Sequence, residues 1–244
     1  MSVDNKTATS KRESHIIFDW DDTLLSSSYL SGKGYRLDSH LVRGDGSDLD
    51  IELGKLEQAV IVLLNTALQY GAVHIITNAE TGWVQLSAAK FIPAVVPLLS
   101  QLNICSARST YEHMFPDSPL KWKYHAMQER LYSLYNGATC DHNIEKHILS
   151  FGDSHVEREA VRAVTRGLTN TLTKSVKFAE RPSMEQLRRQ VELVNNCFTY
   201  INNHTGDLDL QLTVTLNTQQ PINNASAPKQ VSTTSLDNNT AIVA

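Results

Sequence analysis

Short apolar runs alternate with longer amphipathic stretches along most of the chain. An apolar run bounded by polar or glycine residues is typical of a buried strand, whereas apolar residues repeated every three or four positions are typical of a helix. The predicted strands cover about residues 15–18, 73–77, 102–105, 147–151 and 174–178. The predicted helices cover about residues 53–70, 82–100, 120–135, 155–166 and 184–203. This alternation predicts an α/β fold in which helices cover both faces of a parallel sheet.

Polar segments flank the alternating region. Residues 1–14 are predicted to form a flexible N-terminus and residues 15–214 a single globular domain. From Leu216 onward the chain is rich in Asn, Thr, Ser and Gln, and only Lys229 and Asp237 are charged. Such a segment buries too little apolar surface to fold alone, so we expect residues 215–244 to form a disordered polar tail.

Charge, cysteine content and the lack of long apolar segments argue against several classes of protein. The 244 residues carry a formal charge of −4, which is too small and too mixed to favour nucleic-acid binding. The three cysteines, Cys105, Cys140 and Cys197, have no metal-type spacing, and their odd number argues against a disulfide framework. The N-terminus lacks the apolar core of a signal peptide, and no segment approaches the ~20 apolar residues of a transmembrane helix. We therefore expect a cytoplasmic protein without membrane contact, and we expect it to be a monomer.

The most informative stretch runs from His15 to Leu25, where an apolar strand leads directly into three carboxylates. Asp19 and Asp21 emerge at the carboxyl end of the strand, which is where ligands bind in open α/β sheets. Alternation places these two acids on the same side of the chain. They repel each other unless a cation or a shared proton lies between them, which favours a magnesium site with one reactive carboxylate. The alternative is a solvated acidic turn.

The segment from Asp19 to Thr23 resembles the first motif of the haloacid dehalogenase (HAD) superfamily of aspartate-nucleophile hydrolases. The second motif of that superfamily, an apolar strand ending in Ser or Thr, is matched by the strand that ends at Thr77-Asn78. The fourth, a strand running into Gly-Asp, is matched by Gly152-Asp153. Glu157 stands where the superfamily more often has Asp, one helical turn after Asp153.

The third motif is a lysine between the second and the fourth. Lys121 and Lys123 both lie in the first turns of the helix predicted from about residue 120, and there they would point in different directions. We favour Lys123, because in similar proteins the lysine directly follows the tryptophan.

The resemblance implies a Rossmann-like core and two-step phosphoryl transfer through an aspartyl-phosphate. Asp19 would be the nucleophile and Asp21 the general acid and base. Mg²⁺ would be held by the carboxylates of Asp19 and Asp153 and by the main-chain carbonyl of Asp21. The remaining expected site residues are the phosphate-binding Thr77, Asn78 and Lys123, and Glu157, which would support the metal site from outside its ligand shell.

The spacing of the motifs bears on the substrate. Neither the interval between the first and second motifs nor that between the second and third has room for a large cap domain, although residues 26–50 could fold over the site as a small lid. The segments 77–84, 106–112 and 152–160 resemble a capless HAD group that is widespread in eukaryotic genomes, and similar capless enzymes occur among secreted bacterial effectors that remove phosphate from phosphotyrosine proteins. This resemblance implies phosphotyrosine as a substrate and secretion as an effector as an alternative location. The expected substrate is a phosphoprotein, with phosphotyrosine favoured.

Two alternative functions stay open: a small-molecule phosphomonoesterase, and a binding module that kept the fold but lost catalysis. Trp20, Trp83 and Arg108 are each a candidate lining for an aromatic-binding approach. The competing interpretation for each is core packing or a surface ion pair.

Overall fold

One seven-stranded sheet organises the protein. The computed structural model describes residues 11–40, 43–135, 144–214 and 240–243. The strands are β1 (Arg12–Phe18), β2 (Ala72–Thr77), β3 (Asn103–Ser106), β4 (Glu145–Gly152), β5 (Thr171–Lys177), β6 (Leu208–Val214) and β7 (Thr240–Val243). Their order across the sheet is β3-β2-β1-β4-β5-β6-β7. The first six strands are parallel and β7 is antiparallel to β6, which confirms the predicted α/β class.

The strand order creates a switch point in the middle of the sheet. From β1 the chain proceeds to β2 and β3 on one side, and it then returns to β4 on the other side of β1. At such a point the connections leave in opposite directions, which opens a crevice at the carboxyl ends of the two strands. Asp19 follows β1 and Asp153 follows β4, so the fold itself brings these two acids to the crevice.

Helices connect the strands. They are α1 (Ser27–Gly32), α2 (Asp48–Tyr70), α3 (Trp83–Phe91), α4 (Val96–Leu99), α5 (Ala107–Tyr111), α6 (Pro119–Tyr135), α7 (His155–Thr165) and α8 (Met184–Asn203), with a 3₁₀ turn at Pro93–Val95. The Ser183 and Gln186 side chains form a capping box at the start of α8. No helix in the described ranges is long and apolar enough to cross a bilayer.

Two cores lie on the two faces of the sheet. On one face α2 packs against α8, and their apolar side chains cover Phe18 and Phe151. On the other face α6 packs against α7 over Ile17 and Ile148. Ile17 and Phe18 are neighbours that point to opposite faces, so both must be apolar. This explains why the central strands have uninterrupted apolar sequences.

Several boundaries differ from the predictions. β1 begins at Arg12, so residues 12–14 belong to the sheet and not to the N-terminal segment. The short helices α1 and α5 were not predicted, because each has too few residues to show a helical repeat. Residues 1–10 and 215–239, and with the latter most of the predicted tail, lie outside the described residues, as does Cys140.

The last two strands, β6 and β7, are absent from the predicted set. β6, whose alternating sequence is typical of an edge strand, is not at the edge, because β7 pairs with it on its outer side. The sequence around β7 has no charged residue and only a short apolar run, and its pairing partner is far away in the chain. Such a long-range pairing cannot be inferred from the local pattern.

Residues 26–50, for which the sequence allows a small lid, form no separate domain in their described part. Its first half supplies α1, whose Leu30 side chain is buried in the main core. Its last residues begin α2, where Ser47 caps the helix by accepting a hydrogen bond from the backbone of Asp50. Among the described residues of the segment, only those between Ser27 and Asp38 lie beside Asp21, at one side of the crevice.

Candidate active site

Three adjacent parallel strands bring together the segments that resemble the first, second and fourth motifs. β2, β1 and β4 are neighbours, with Phe18 opposite both Ile75 and Phe151 in the register. The backbone N–H of Asp19 continues the ladder by donating to the Phe151 carbonyl at 2.9 Å. Asp19 is therefore held rigidly at the strand end, and its side chain is 10% exposed.

Lys123 supplies the cation of this site. Its side chain is fully buried and its Nζ donates to Asp19 Oδ1 at 2.6 Å and to the Ile76 carbonyl at 2.5 Å. The same nitrogen lies 2.9 Å from Glu157 Oε1. Lys121 instead is exposed and lies over the Phe115 ring, 5.4 Å from its centroid. Of the two lysines left open by the sequence, the structure thus brings Lys123 to the acids.

Three carboxylates form a group that could hold a metal ion. One oxygen each from Asp19, Asp153 and Glu157 lies within 4.8 Å of the others. Ligands at ~2.1 Å from Mg²⁺ are at most ~4.2 Å apart, so a small contraction of this group would satisfy the ion. A set of carboxylate oxygens is also the donor chemistry that Mg²⁺ prefers. The residues present therefore fit a divalent cation, although they do not identify which one.

This group differs in one respect from the predicted ligand set. Glu157 was expected outside the ligand shell, yet its carboxylate lies among the candidate ligands. The Asp21 carboxylate is not in the group, which agrees with the expectation that Asp21 would act through its main-chain carbonyl. That role of the carbonyl stays a prediction.

Burial and crowding of negative charge raise the pKa values of two of these acids. Burial, opposed by the Lys123 charge, raises the pKa of Asp19 to about 7. Burial, reinforced by the charges of Asp19 and Glu157, raises the pKa of Asp153 to about 8. A carboxylate that is buried beside other carboxylates resists ionisation, because it loses hydration and is repelled by its neighbours, and the single charge of Lys123 offsets this only in part. A bound divalent cation would offset it.

The pKa of Glu157 shifts in the opposite direction. Burial acts to raise the pKa of Glu157, but the Lys123 charge and the hydrogen bond from Ser154 outweigh it and hold the pKa below the usual value. A side chain at Gly152 would displace Glu157, because a Cβ there would lie 2.4 Å from Glu157 Cγ. Gly152 is thus required for the close approach of Glu157 to the site.

The Asp21 carboxylate lies outside the metal-binding group. Its Oδ1 accepts a hydrogen bond of 2.9 Å from the indole N–H of Trp83, and the Ser27 side chain also hydrogen-bonds to it. Burial raises the pKa of Asp21 against these two hydrogen bonds, which stabilise the ionised form. A carboxyl group with a raised pKa beside a crevice suits a general acid.

The two predicted phosphate-binding residues of the second motif have different surroundings. Thr77 is buried at the end of β2, and its hydroxyl oxygen accepts from the backbone N–H of Ala79 at 3.0 Å. Because it accepts in that bond, the hydroxyl retains its proton for donation to another oxygen. Asn78 uses its amide N–H₂ differently, by donating to the Pro119 carbonyl at 3.3 Å. It thereby ties the end of β2 to the start of α6, the helix that carries Lys123.

Three further residues near the site have structural roles. Trp20 is fully buried and donates to Ser87 at 2.9 Å, so it packs in the core. Arg108 forms a surface ion pair with Glu112 at 3.0 Å. Asp22 adopts a left-handed backbone conformation with φ of 54°, and its side chain accepts from the backbone of Ser28. It shapes the turn after β1.

Sequence reasoning missed the partnership of Trp83 with Asp21. Trp83 begins α3, and its loop leaves β2 at the same end of the sheet as Asp21. A tryptophan in the first turn of a helix that follows a motif strand is the signal that points to this position. The identity of its hydrogen-bond partner depends on side-chain geometry, which the sequence does not contain.

Comparison of the chain with protein-family models, with curated proteins and with solved structures finds no match. The function therefore has to be inferred from the site itself.

Proposed function

We propose that this protein is a Mg²⁺-dependent phosphomonoester hydrolase of the HAD type, with Asp19 as the nucleophile. The observation that carries the proposal is the buried group in which Lys123 bridges Asp19 and Glu157, with Asp153 beside them, at the switch point of the sheet. A purely structural role explains it poorly, because three acids buried with one base either carry excess negative charge or must hold a proton at a raised pKa. A site that receives a cation and a phosphoryl group resolves that excess.

The residues allow a two-step reaction. Lys123 occupies one carboxylate oxygen of Asp19, and the other oxygen attacks phosphorus while the bond from phosphorus to the leaving oxygen breaks. Asp21 gives its proton to that leaving oxygen. Asp21 then takes a proton from water, whose oxygen attacks the phosphorus of the aspartyl-phosphate and releases phosphate together with free Asp19.

Other groups would stabilise the transferring phosphoryl group. Thr77 would donate its hydroxyl proton to a phosphoryl oxygen, and Lys123 would offer its charge at the same place. Asp19, Asp153 and Glu157 would hold the metal ion, with the main-chain carbonyl of Asp21 as a further oxygen. When bound, Mg²⁺ supplies positive charge where negative charge develops on the phosphoryl oxygens.

The substrate we propose is a phosphorylated protein. In the described residues the segment between β1 and β2 consists of α1, α2 and their loops, and it forms no separate cap domain. A site without a cap admits a phosphate that is attached to a large molecule.

The test compares Asp19→Asn with Asp22→Asn, which removes the charge of a neighbouring acid that has no chemical role in the mechanism. Phosphate release from acetyl phosphate and p-nitrophenyl phosphate is followed with Mg²⁺ and with a chelator. We expect Asp19→Asn to lose at least ~100-fold in rate, and Asp22→Asn to keep most of the wild-type rate. Borohydride trapping of the acyl phosphate should modify Asp19 in the wild type. Equal rates for the wild type and Asp19→Asn would exclude the mechanism.

A further inference from the structure

A cavity of about 600 Å³ opens beside Asp21. It lies between α1 with the loop that follows it on one side and α3 on the other. Its lining combines apolar, aromatic and charged side chains, among them Ser27, Leu30, Tyr35, Arg36, Trp83 and Phe91. None of these residues belongs to the four motifs, so the mechanism above leaves the cavity without a role.

The position of the cavity defines which part of a substrate would enter it. If Asp21 protonates the leaving oxygen, the group attached to that oxygen must lie on the Asp21 side of the phosphorus. The cavity begins at Asp21, so it is where that group would be placed. A second cavity of about 600 Å³, between α6 and α7, is lined by Lys121 and His155 and contains neither Asp19 nor Asp21.

The wall formed by the loop after α1 is held in place. The backbone N–H of Tyr35 donates to the Leu30 carbonyl at 2.9 Å, and the Tyr35 ring is half-buried against the main core. Further along the loop, the Ser39 carbonyl accepts from Lys90 of α3 at 2.5 Å. The two sides of the cavity are therefore connected, and a ligand would find a largely preformed site.

The lining favours one kind of leaving group. The half-buried rings of Tyr35 and Trp83 offer aromatic surface, and Leu30 and Phe91 add apolar surface behind them. Aromatic rings prefer offset or edge-to-face contact with other rings, worth ~0.5–1.5 kcal/mol beyond burial. Arg36 is exposed at the rim, where it would meet a group further along the substrate.

We propose that this cavity is the leaving-group site and that it selects aryl phosphomonoesters by contact with Tyr35 and Trp83. The inference rests on the proposed phosphatase activity and deepens it. A free aryl phosphate and a phosphotyrosine side chain share this chemistry. The cavity is larger than a single ring requires, which leaves room for the chain that flanks a tyrosine.

Trp83 has a second part in the proposal, as a positioning residue. Its indole N–H fixes Asp21 in the orientation that faces the cavity. Trp83→Phe keeps a ring in the wall and removes the hydrogen bond. Its effect should therefore depend on how much acid assistance the leaving group needs.

The first experiment measures kcat/KM for phenyl phosphate and for acetyl phosphate, which has no ring. Tyr35→Ala should lower the ratio of the two values about 3- to 10-fold, and Tyr35→Leu by less. Tyr200→Ala, which removes an exposed tyrosine of α8, should leave both values at the wild-type level. Thermal unfolding of each variant checks that it is folded. An unchanged ratio in Tyr35→Ala would overturn the proposal.

The second experiment compares leaving groups in Trp83→Phe. The loss in kcat/KM, which reports the step that releases the leaving group, should be larger for phenyl phosphate than for p-nitrophenyl phosphate, because the latter releases a better leaving group and depends less on Asp21. Equal losses for the two substrates would show a structural role only, and would remove Trp83 from the proposal.

The third experiment uses two peptides of one sequence that carry phosphate on Tyr or on Ser. The tyrosine peptide should be hydrolysed with a kcat/KM at least ~10-fold higher, and equal values would overturn the aryl selectivity. The kcat/KM for the phosphotyrosine peptide is then compared with that for free phosphotyrosine, which shows whether the aryl phosphate is better accepted in a peptide or as a small molecule. Both results are compatible with an aryl leaving group. If the wild type hydrolyses neither acetyl phosphate nor any aryl phosphate, the proposed function itself fails.

Discussion

The ammonium nitrogen of Lys123 lies 2.6 Å from a carboxylate oxygen of Asp19, and both side chains are buried. The same nitrogen is 2.9 Å from Glu157, so one cation serves two anions. Burial acts to lower the pKa of Lys123, but the charges of these two acids outweigh it and raise the pKa. The lysine therefore stays protonated in the folded protein.

Replacing Lys123 by Met should destabilise the protein by ~3–5 kcal/mol, because it leaves two buried acids without their partner. It should also lower the rate of phosphate release at least ~100-fold, since the charge that faces the phosphoryl group is lost. Urea unfolding and phosphate release measure the two effects.

Lys121→Met is the matched control, two residues away on the same helix. Its side chain is exposed, so we expect its free energy of unfolding to change by no more than ~0.5 kcal/mol. Similar losses in the two variants would mean that the buried ion pairs of Lys123 carry no special weight.

Glu157 provides a test of the metal site that is independent of the nucleophile. Glu157→Gln keeps the shape of the side chain and removes a charge from the group of candidate ligands. We expect the Mg²⁺ concentration for half-maximal activity to rise about tenfold, by analogy with the loss of a supporting group at other metal sites. Mg²⁺ raises the unfolding temperature because a ligand stabilises the state that binds it. Glu157→Gln should need a higher Mg²⁺ concentration than the wild type for the same rise.

Glu159→Gln is the control for this experiment, since Glu159 is exposed on the same helix. Its Mg²⁺ dependence should match that of the wild type. If Glu157→Gln also matches the wild type in both measurements, then Glu157 is not a ligand and only pairs with Lys123.

Much of the fold could be predicted from the sequence because its central strands are buried on both faces. Ile17 and Phe18 point to opposite cores, so the apolar run is continuous and stands out from the amphipathic helices around it. The strands at the edge of the sheet were harder to predict. β7 pairs with β6 across a long stretch of chain, and the stability of that pairing depends on tertiary context.

The site could be predicted in part for a similar reason. Asp19 and Asp153 each follow a strand directly, and the fold class alone brings such positions together. The direction of side chains on helices is harder to predict. Lys121 and Lys123 differ only by rotation about α6, and the role of Trp83 depends on one hydrogen bond to Asp21.

A chain of hydrogen bonds on the α6 side of the sheet predicts a dependence of stability on pH. Arg130 donates to His74 Nδ1 at 3.1 Å, and His74 Nε2 lies 3.1 Å from His15 Nδ1. His15 Nε2 is in turn 3.2 Å from Glu13. Each ring then donates through Nε2 and accepts through Nδ1, which requires both rings to be neutral. Protonation of His74 would place an N–H opposite the Arg130 donor.

Burial, together with the neighbouring His15 and the charge of Arg130, lowers the pKa of His74 to about 3 from the ordinary value of 6.5. Below pH 6.5 the unfolded chain binds a proton that the folded protein does not, so stability falls as the pH falls. His74 should account for a loss of about 1 kcal/mol between pH ~6.5 and ~5.5, measured by urea unfolding. His74→Gln should flatten this dependence, because Gln can accept from Arg130 without titrating. His113 is exposed, so His113→Gln should leave the pH dependence unchanged. If the free energy of unfolding varies with pH equally in the two variants, the pH dependence does not come from His74.

The turn between α2 and β2 offers a test of the packing around the sheet. A Cβ at Gly71 would lie 1.9 Å from the carbonyl oxygen of Ser14 in β1, a backbone atom that cannot move without disturbing the strand. The φ of Gly71 is 173°, which any residue adopts, so the glycine is required by this close approach and not by its backbone conformation. Gly71→Ala should lower the free energy of unfolding by ~3 kcal/mol or more, as measured by urea unfolding.

Gly32 at the end of α1 is the matched control for Gly71. A Cβ there meets no atom within 4 Å, and the residue is helical. Gly32→Ala should therefore leave stability unchanged or raise it by ~0.4–1 kcal/mol, because alanine reduces the entropy of the unfolded chain. If the two alanine variants unfold at the same urea concentration, the strand β1 yields more easily than its place in the centre of the sheet implies. In that case the rigid placement of Asp19 at its end would also be in question.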